Sequence, residues 1–231
     1  MKALLYKEFK LAMHPICYVF IFLFPLMMLV PSYPMGVGFI YLLSCYPILF
    51  LGTNKGQQSN DLLYSTLLPV RKKDIVLARI FTVVIMQLAY ILIMAALSPV
   101  AFLIQQNMIA NNQEYAPTGF GVESFVSLIS FGIIGFALAD LIFFPIYYRN
   151  GKSIVMSTLF TILGFVIYLG IFTVALPIMG NKIPEMKWFS DIFAGELWIQ
   201  FIVLAVAIIL SALAHFLVYK ISSKRLENVD F

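Results

Sequence analysis

The residues able to do chemistry are few and widely spaced, and they argue for contact rather than catalysis. Residues 60–79 read NDLLYSTLLPVRKKDIVLAR. Leu62, Leu63, Tyr64, Leu67 and Leu68 would be the apolar anchors of a short helix. Asn60 or Asp61 is placed to accept from the free N–H groups at its start. Pro69 disfavours helix at Leu68 and so ends it. A basic group follows, Arg71, Lys72 and Lys73. Anchors of this kind have two uses, burial in a lipid interface or docking into a groove on a partner.

Asp140 lies inside a long apolar run. An ionisable group there is costly and by default marks function. Two readings are open: pairing with Arg149 or Lys152 near the end of the run, or a part in gating or transport. His215 follows Ser211 by one helical turn and is expected to hydrogen-bond to it. Asn150, Gly151, Lys152 and Ser153 contain the ending of a phosphate-binding loop, but that motif needs a glycine where Ile146 stands. Gly151 is better read as permitting a tight turn, and Lys152 as an anchor at the phosphate layer. No nucleophile stands beside a plausible base, and no cysteine–histidine spacing suits a metal. The reading is of no catalytic residue, no metal and no cofactor in this chain. Cys17 and Cys45 sit in separate apolar runs and are expected to stay unbridged.

These residues need a membrane to position them. Of the 231 residues, 62% are hydrophobic and 11% charged, against about 25% charged in a soluble domain. No Asp, Glu, Lys or Arg occurs over residues 11–54 or 80–113. The formal net charge of +4 does not point to nucleic acid, because the basic residues are scattered over short loops. About 20 apolar residues cross the hydrocarbon core. The fold class expected is an all-α integral membrane protein, one transmembrane domain over residues 1–231. Its six spans fall near 16–32, 35–52, 80–104, 123–147, 153–179 and 197–219. Pro25 should kink the first, and Pro99 lies near the far end of the third.

The ends and loops complete the pattern. Residues 1–15 form an amphipathic interfacial helix, with Lys7, Lys10 and His14 on one face and Leu5, Phe9, Ala12 and Met13 on the other. Six spans put both termini on one side. Thirteen of the fifteen basic residues fall on that side, and only Lys182 and Lys187 opposite. The bias places the termini, the 53–79 loop and the 220–231 tail in the cytoplasm. In the outer loop, Trp188, Phe189 and Phe193 form either an aromatic belt or a short re-entrant lid, which needs its backbone buried in protein. The small pairs Gly135 with Ala139 and Ala207 with Ser211 suit close helix packing.

With these features the chain resembles the membrane subunit of an ABC-2 type exporter over nearly its whole length. The resemblance rests on the amphipathic helix leading into span one, on six spans with cytoplasmic ends, and on Leu67, Leu68, Pro69, Val70 and Arg71 followed by the series from Asp74 to Arg79. Within that family it is most similar to the small permeases of peptide exporters, those of phenol-soluble modulins included. The resemblance implies a bacterial cell membrane and a second copy of this permease or a related one. It implies also a separate ABC ATPase that binds ATP and Mg. Asp61, Leu62, Leu63, Tyr64, Leu67, Leu68 and Arg71 would then be the coupling helix and its flank, with Leu5, Phe9 and Met13 beside it. Lipids and an amphipathic peptide substrate complete the implied partners. Two other functions fit the residues: a membrane sensor or immunity protein that binds peptides without moving them, and an exporter of lipids, drugs or ions.

Overall fold

The computed structural model describes residues 2–12, 16–26, 29, 65, 67, 69–111, 125–150, 154–171 and 197–228. Among them there is no strand. The helices are α1 (Lys2–Lys7, continued by a π-helical stretch, Glu8–Ala12), α2 (Ile16–Leu26), α3 (Lys72–Asn111), α4 (Phe125–Asn150), α5 (Ile154–Gly170) and α6 (Leu197–Glu227). Among the described residues three segments are long and apolar enough to cross a membrane: Lys72–Ala101, Ile129–Arg149 and Leu197–Glu227. The 17 residues of α5 rise about 26 Å, just short of a typical hydrocarbon core. The expected second span and most of the two long loops lie outside the described residues.

Helix and membrane span are different lengths here. Sequence places the third span at 80–104, yet α3 has 40 residues, about 60 Å at the usual rise. Nothing in 72–79 breaks a helix. Asp74 stands in the first turn, where a negative charge meets the positive end of the helix dipole. The Asp74 and Ile75 N–H groups donate to the Arg71 carbonyl at 2.9 and 3.4 Å. Ile75, Val76, Ala78 and Ile80 are buried, so this charged stretch carries an apolar face of its own.

Pro99 lies inside α3 rather than ending it. A proline withholds the N–H that would bond the carbonyl four residues back, here Ala95. The Ser98 hydroxyl donates to that carbonyl at 2.8 Å, which removes the penalty of an orphaned acceptor in lipid. α6 likewise runs on through the charged tail to Glu227. Lys224 and Arg225 stand in its last turn, the favourable end for cations. Arg225 Nη1 donates to the Pro145 carbonyl, and Lys73 Nζ lies 3.3 Å from Glu227.

α4 is the centre of the described bundle. It packs most extensively on α6 and next on α5, while α3 packs on α6, α2 and α1. Its buried side chains are largely aromatic: Phe131, Phe136, Phe143, Phe144, Tyr147 and Tyr148. The expected close packing at Gly135 is borne out. A Cβ there would lie 3.0 Å from a Phe165 ring carbon and 3.1 Å from Tyr168, so the missing side chain lets α5 approach. Tyr168 stacks on Phe131 with ring centres 4.5 Å apart, and its hydroxyl donates to the Phe131 carbonyl at 2.8 Å. The outward face of α6, including Phe201, Ile202, Ile209 and Phe216, is exposed. That suits a helix whose solvent is hydrocarbon.

Candidate functional site: two buried polar rungs

Polar groups deep in an apolar bundle must find each other, and two clusters do so along the seam between α3 and α4. The first is built on Arg79, 2% exposed, and Glu8, 4% exposed. Arg79 Nε donates to Glu8 Oε2 at 3.0 Å and Nη2 to Oε1 at 3.2 Å. This is the planar two-point match that a guanidinium makes with a carboxylate. Its Nη1 donates to the Tyr147 hydroxyl at 3.1 Å. Lys7 Nζ lies 3.7 Å from Glu8 Oε1 and donates to the Ser65 hydroxyl. Four parts of the chain, residue 65, α1 with its π-helical continuation, α3 and α4, therefore meet at one node.

The second cluster is built on Asp140, fully buried in α4. Gln87 Nε2 of α3 donates to Asp140 Oδ2 at 2.9 Å. His215 Nε2 of α6 lies 2.9 Å from the same oxygen. His215 Nδ1 lies 2.7 Å from the Ser211 carbonyl and 3.3 Å from the Ser211 hydroxyl. A carbonyl only accepts, so Nδ1 carries a hydrogen. Nε2 and the carboxylate then share one further proton, held either on nitrogen as an ion pair or on oxygen as a neutral pair. Either way the cluster is neutral as a unit.

The two clusters are rungs of one antiparallel seam. Climbing α3 from Arg79 through Gln87 to Tyr90 is matched by descending α4 from Tyr147 through Asp140 to Phe136. The polar rungs stand about 12 Å apart at the helical rise. Beyond the Asp140 rung, Tyr90 and Phe136 meet edge-on, ring centres 6.0 Å apart.

The expected pairing of Asp140 with Arg149 needs correction. Arg149 is nine residues on, two and a half turns along the same helix, so its side chain leaves from the opposite face. It is exposed, and Lys152 lies outside the described residues. The expected contact of His215 with Ser211 is present, and His215 is tied to Asp140 as well. Asp140 is not alone as a buried charge, since Glu8 and Arg79 are buried as well. Glu8 reads in sequence as one more charge of an interfacial helix, and Arg79 as one more base of a loop. The signal available was that Arg79 interrupts the buried series Ile75, Val76, Ala78, Ile80, as Gln87 interrupts the run after it.

The N-terminal helix also turns differently. Its buried positions are Leu4 and Glu8, with Leu5 and Phe9 partly buried and Phe9 packed on the core. Lys10 is exposed and donates to Tyr6 at 2.6 Å. Met13 is outside the described residues. Of the expected docking residues, Leu67 has helical backbone and is 76% exposed, and Arg71 is exposed. Asp61, Leu62, Leu63, Tyr64 and Leu68 are outside the described residues, as are Trp188, Phe189 and Phe193. Among the described residues no three histidines, cysteines or carboxylates group as metal ligands would.

A family model described as ABC-2 family transporter protein matches residues 3–222. Comparison with curated proteins and with solved structures gives no match. Members of the matched family are membrane components of transporters, not themselves catalytic, and in general work with an ABC ATPase. The family match spans almost the whole chain and agrees with a helical bundle containing three clear membrane-crossing segments: the chain belongs to the ABC-2 family transporter proteins, as a multi-pass membrane permease.

Proposed function

We propose that this permease serves an ATP-driven exporter of amphipathic peptides, of the kind that phenol-soluble modulin exporters move, with both termini in the bacterial cytoplasm. A separate ABC ATPase binds ATP and Mg and seats on a coupling helix over residues 61–68 and its flank at Arg71. Two permease copies, or this one and a related one, enclose the path. The observation that carries this reading is Leu67. It is 76% exposed, only two residues beyond Ser65, which is buried and held by Lys7. A large apolar side chain presented beside Arg71, Lys72 and Lys73 suits a groove on a soluble partner. Aromatic-rich surfaces with sparse charge suit an amphipathic peptide, and the chain holds 22 Phe and 12 Tyr. Asp140, tied to α3 and α6, is the gating element in this reading, because a change at either helix must break or re-form one of its bonds.

The test is co-purification from native membranes. Leu67→Asp should insert normally and lose at least tenfold of the bound ATPase. Normal ATPase recovery with Leu67→Asp would refute the docking role. A parent chain that brings down no ATPase would favour the peptide sensor.

A further inference from the structure

We infer that Arg79 is a positioning residue that makes the N-terminal helix and the α3–α4 pair move as one body. The inference rests on the permease reading for its consequence, since the body it describes begins at the docking segment. The geometry is specific. Arg79 grips Glu8 by two hydrogen bonds and Tyr147 by a third. The carboxylate it grips is next to Lys7, which bonds Ser65, two residues from the exposed Leu67. A displacement of the docking segment is thus handed through Lys7 and Glu8 to a guanidinium that is anchored in α3 and bonded to α4.

A mere stabilising ion pair would need only Glu8 and Arg79. The third bond, to Tyr147, adds a helix to the joint. Arg79 supplies it because a planar group with five N–H donors can face two acceptors at once, which a lysine ammonium on one flexible stem does not hold in fixed directions. The π-helical stretch begins at Glu8, and such stretches in helices often occur at functional sites. Here it begins at the residue that Arg79 holds.

Spin labels on the exposed Lys10 and Arg149 positions, with Cys17 and Cys45 replaced by alanine, report the distance across the joint. The chain is measured in lipid nanodiscs with its ATPase, before and after trapping with ATP and vanadate. The parent should give one narrow distance distribution whose width is unchanged by trapping. Glu8→Gln and the milder Tyr147→Phe should still bind the ATPase, but the distribution should be broader than the parent's already without nucleotide and at least twice as wide as the parent's on trapping. Exchanging the charges, Glu8→Arg with Arg79→Glu, should restore the narrow form. The carboxylate then stands on α3, where it can accept from both the guanidinium on the N-terminal helix and the Tyr147 hydroxyl. Equal widths in parent and both single variants would overturn the inference, as would a charge exchange that binds ATPase yet stays broad. If the parent binds no ATPase, the docking reading fails by itself, and the widths without nucleotide still decide whether Arg79 holds the three helices together.

Discussion

Replacing Asp140 takes an acceptor away from two helices at once. Gln87 and His215 each approach the same Asp140 oxygen at 2.9 Å. Hydrogen bonds between transmembrane helices average about 0.6 kcal/mol and reach about 1.7. Full burial of Asp140 puts these two toward the upper end, so Asp140→Leu should cost about 3 kcal/mol of unfolding free energy. Asparagine keeps the shape but can neither take up nor release the shared proton. With Nδ1 protonated toward Ser211, His215 Nε2 must then accept from the asparagine amide nitrogen, which cannot also accept from Gln87 at that position, and one bond is lost. Asp140→Asn should cost about 1 kcal/mol, roughly fivefold in the unfolding equilibrium. Equilibrium unfolding in mixed micelles measures both. A double-mutant cycle with His215→Ala isolates the α4–α6 bond and should return a coupling of about 1 kcal/mol. An Asp140→Leu chain within about 0.5 kcal/mol of the parent, or fully additive effects, would refute the argument from shared burial. The gating role makes a separate claim. Asp140→Asn should keep its ATPase and change the ATP hydrolysis stimulated by an amphipathic helical peptide by at least twofold. Unchanged stimulation would leave Asp140 as a structural pin.

Three further outcomes follow from packing. Gly135→Val should destabilise by about 1–3 kcal/mol, because even its Cβ would crowd Phe165 and Tyr168; the same unfolding assay reads it. Tyr168→Phe keeps the ring stack on Phe131 and loses only the hydroxyl bond to its carbonyl, so about 1 kcal/mol should be lost. Glu227→Gln breaks an ion pair whose members are both about half exposed. It should shift stability by less than about 0.5 kcal/mol, and a larger loss would show that the α3 and α6 ends depend on each other more than the geometry suggests.

What the sequence made legible was what depends on local pattern. Uninterrupted apolar runs announce helices in lipid, and α3, α4 and α6 lie where such runs lie. Asp140 stood out because a carboxylate there has no cheap explanation. Its partners did not stand out, because Gln87 and His215 are 53 and 75 residues away and only the packing of three helices brings them together. Glu8 and Arg79, 71 residues apart, were hidden for a different reason. Charges near a membrane surface are ordinary, so neither looked buried. Hydropathy marks the limits of a span, not those of a helix. Residues 72–79 are too charged for hydrocarbon, but they are amphipathic and free of breakers, so the helix continues outside the span.

The account depends on Leu67 facing the same compartment as the ATPase. A membrane-impermeant maleimide applied to Leu67→Cys, with Cys17 and Cys45 replaced by alanine, tests this directly. Labelling should be confined to inverted vesicles and should fall when purified ATPase is bound. Equal labelling in intact cells would put residue 67 outside, where no ATPase could reach it, and would contradict the exporter mechanism.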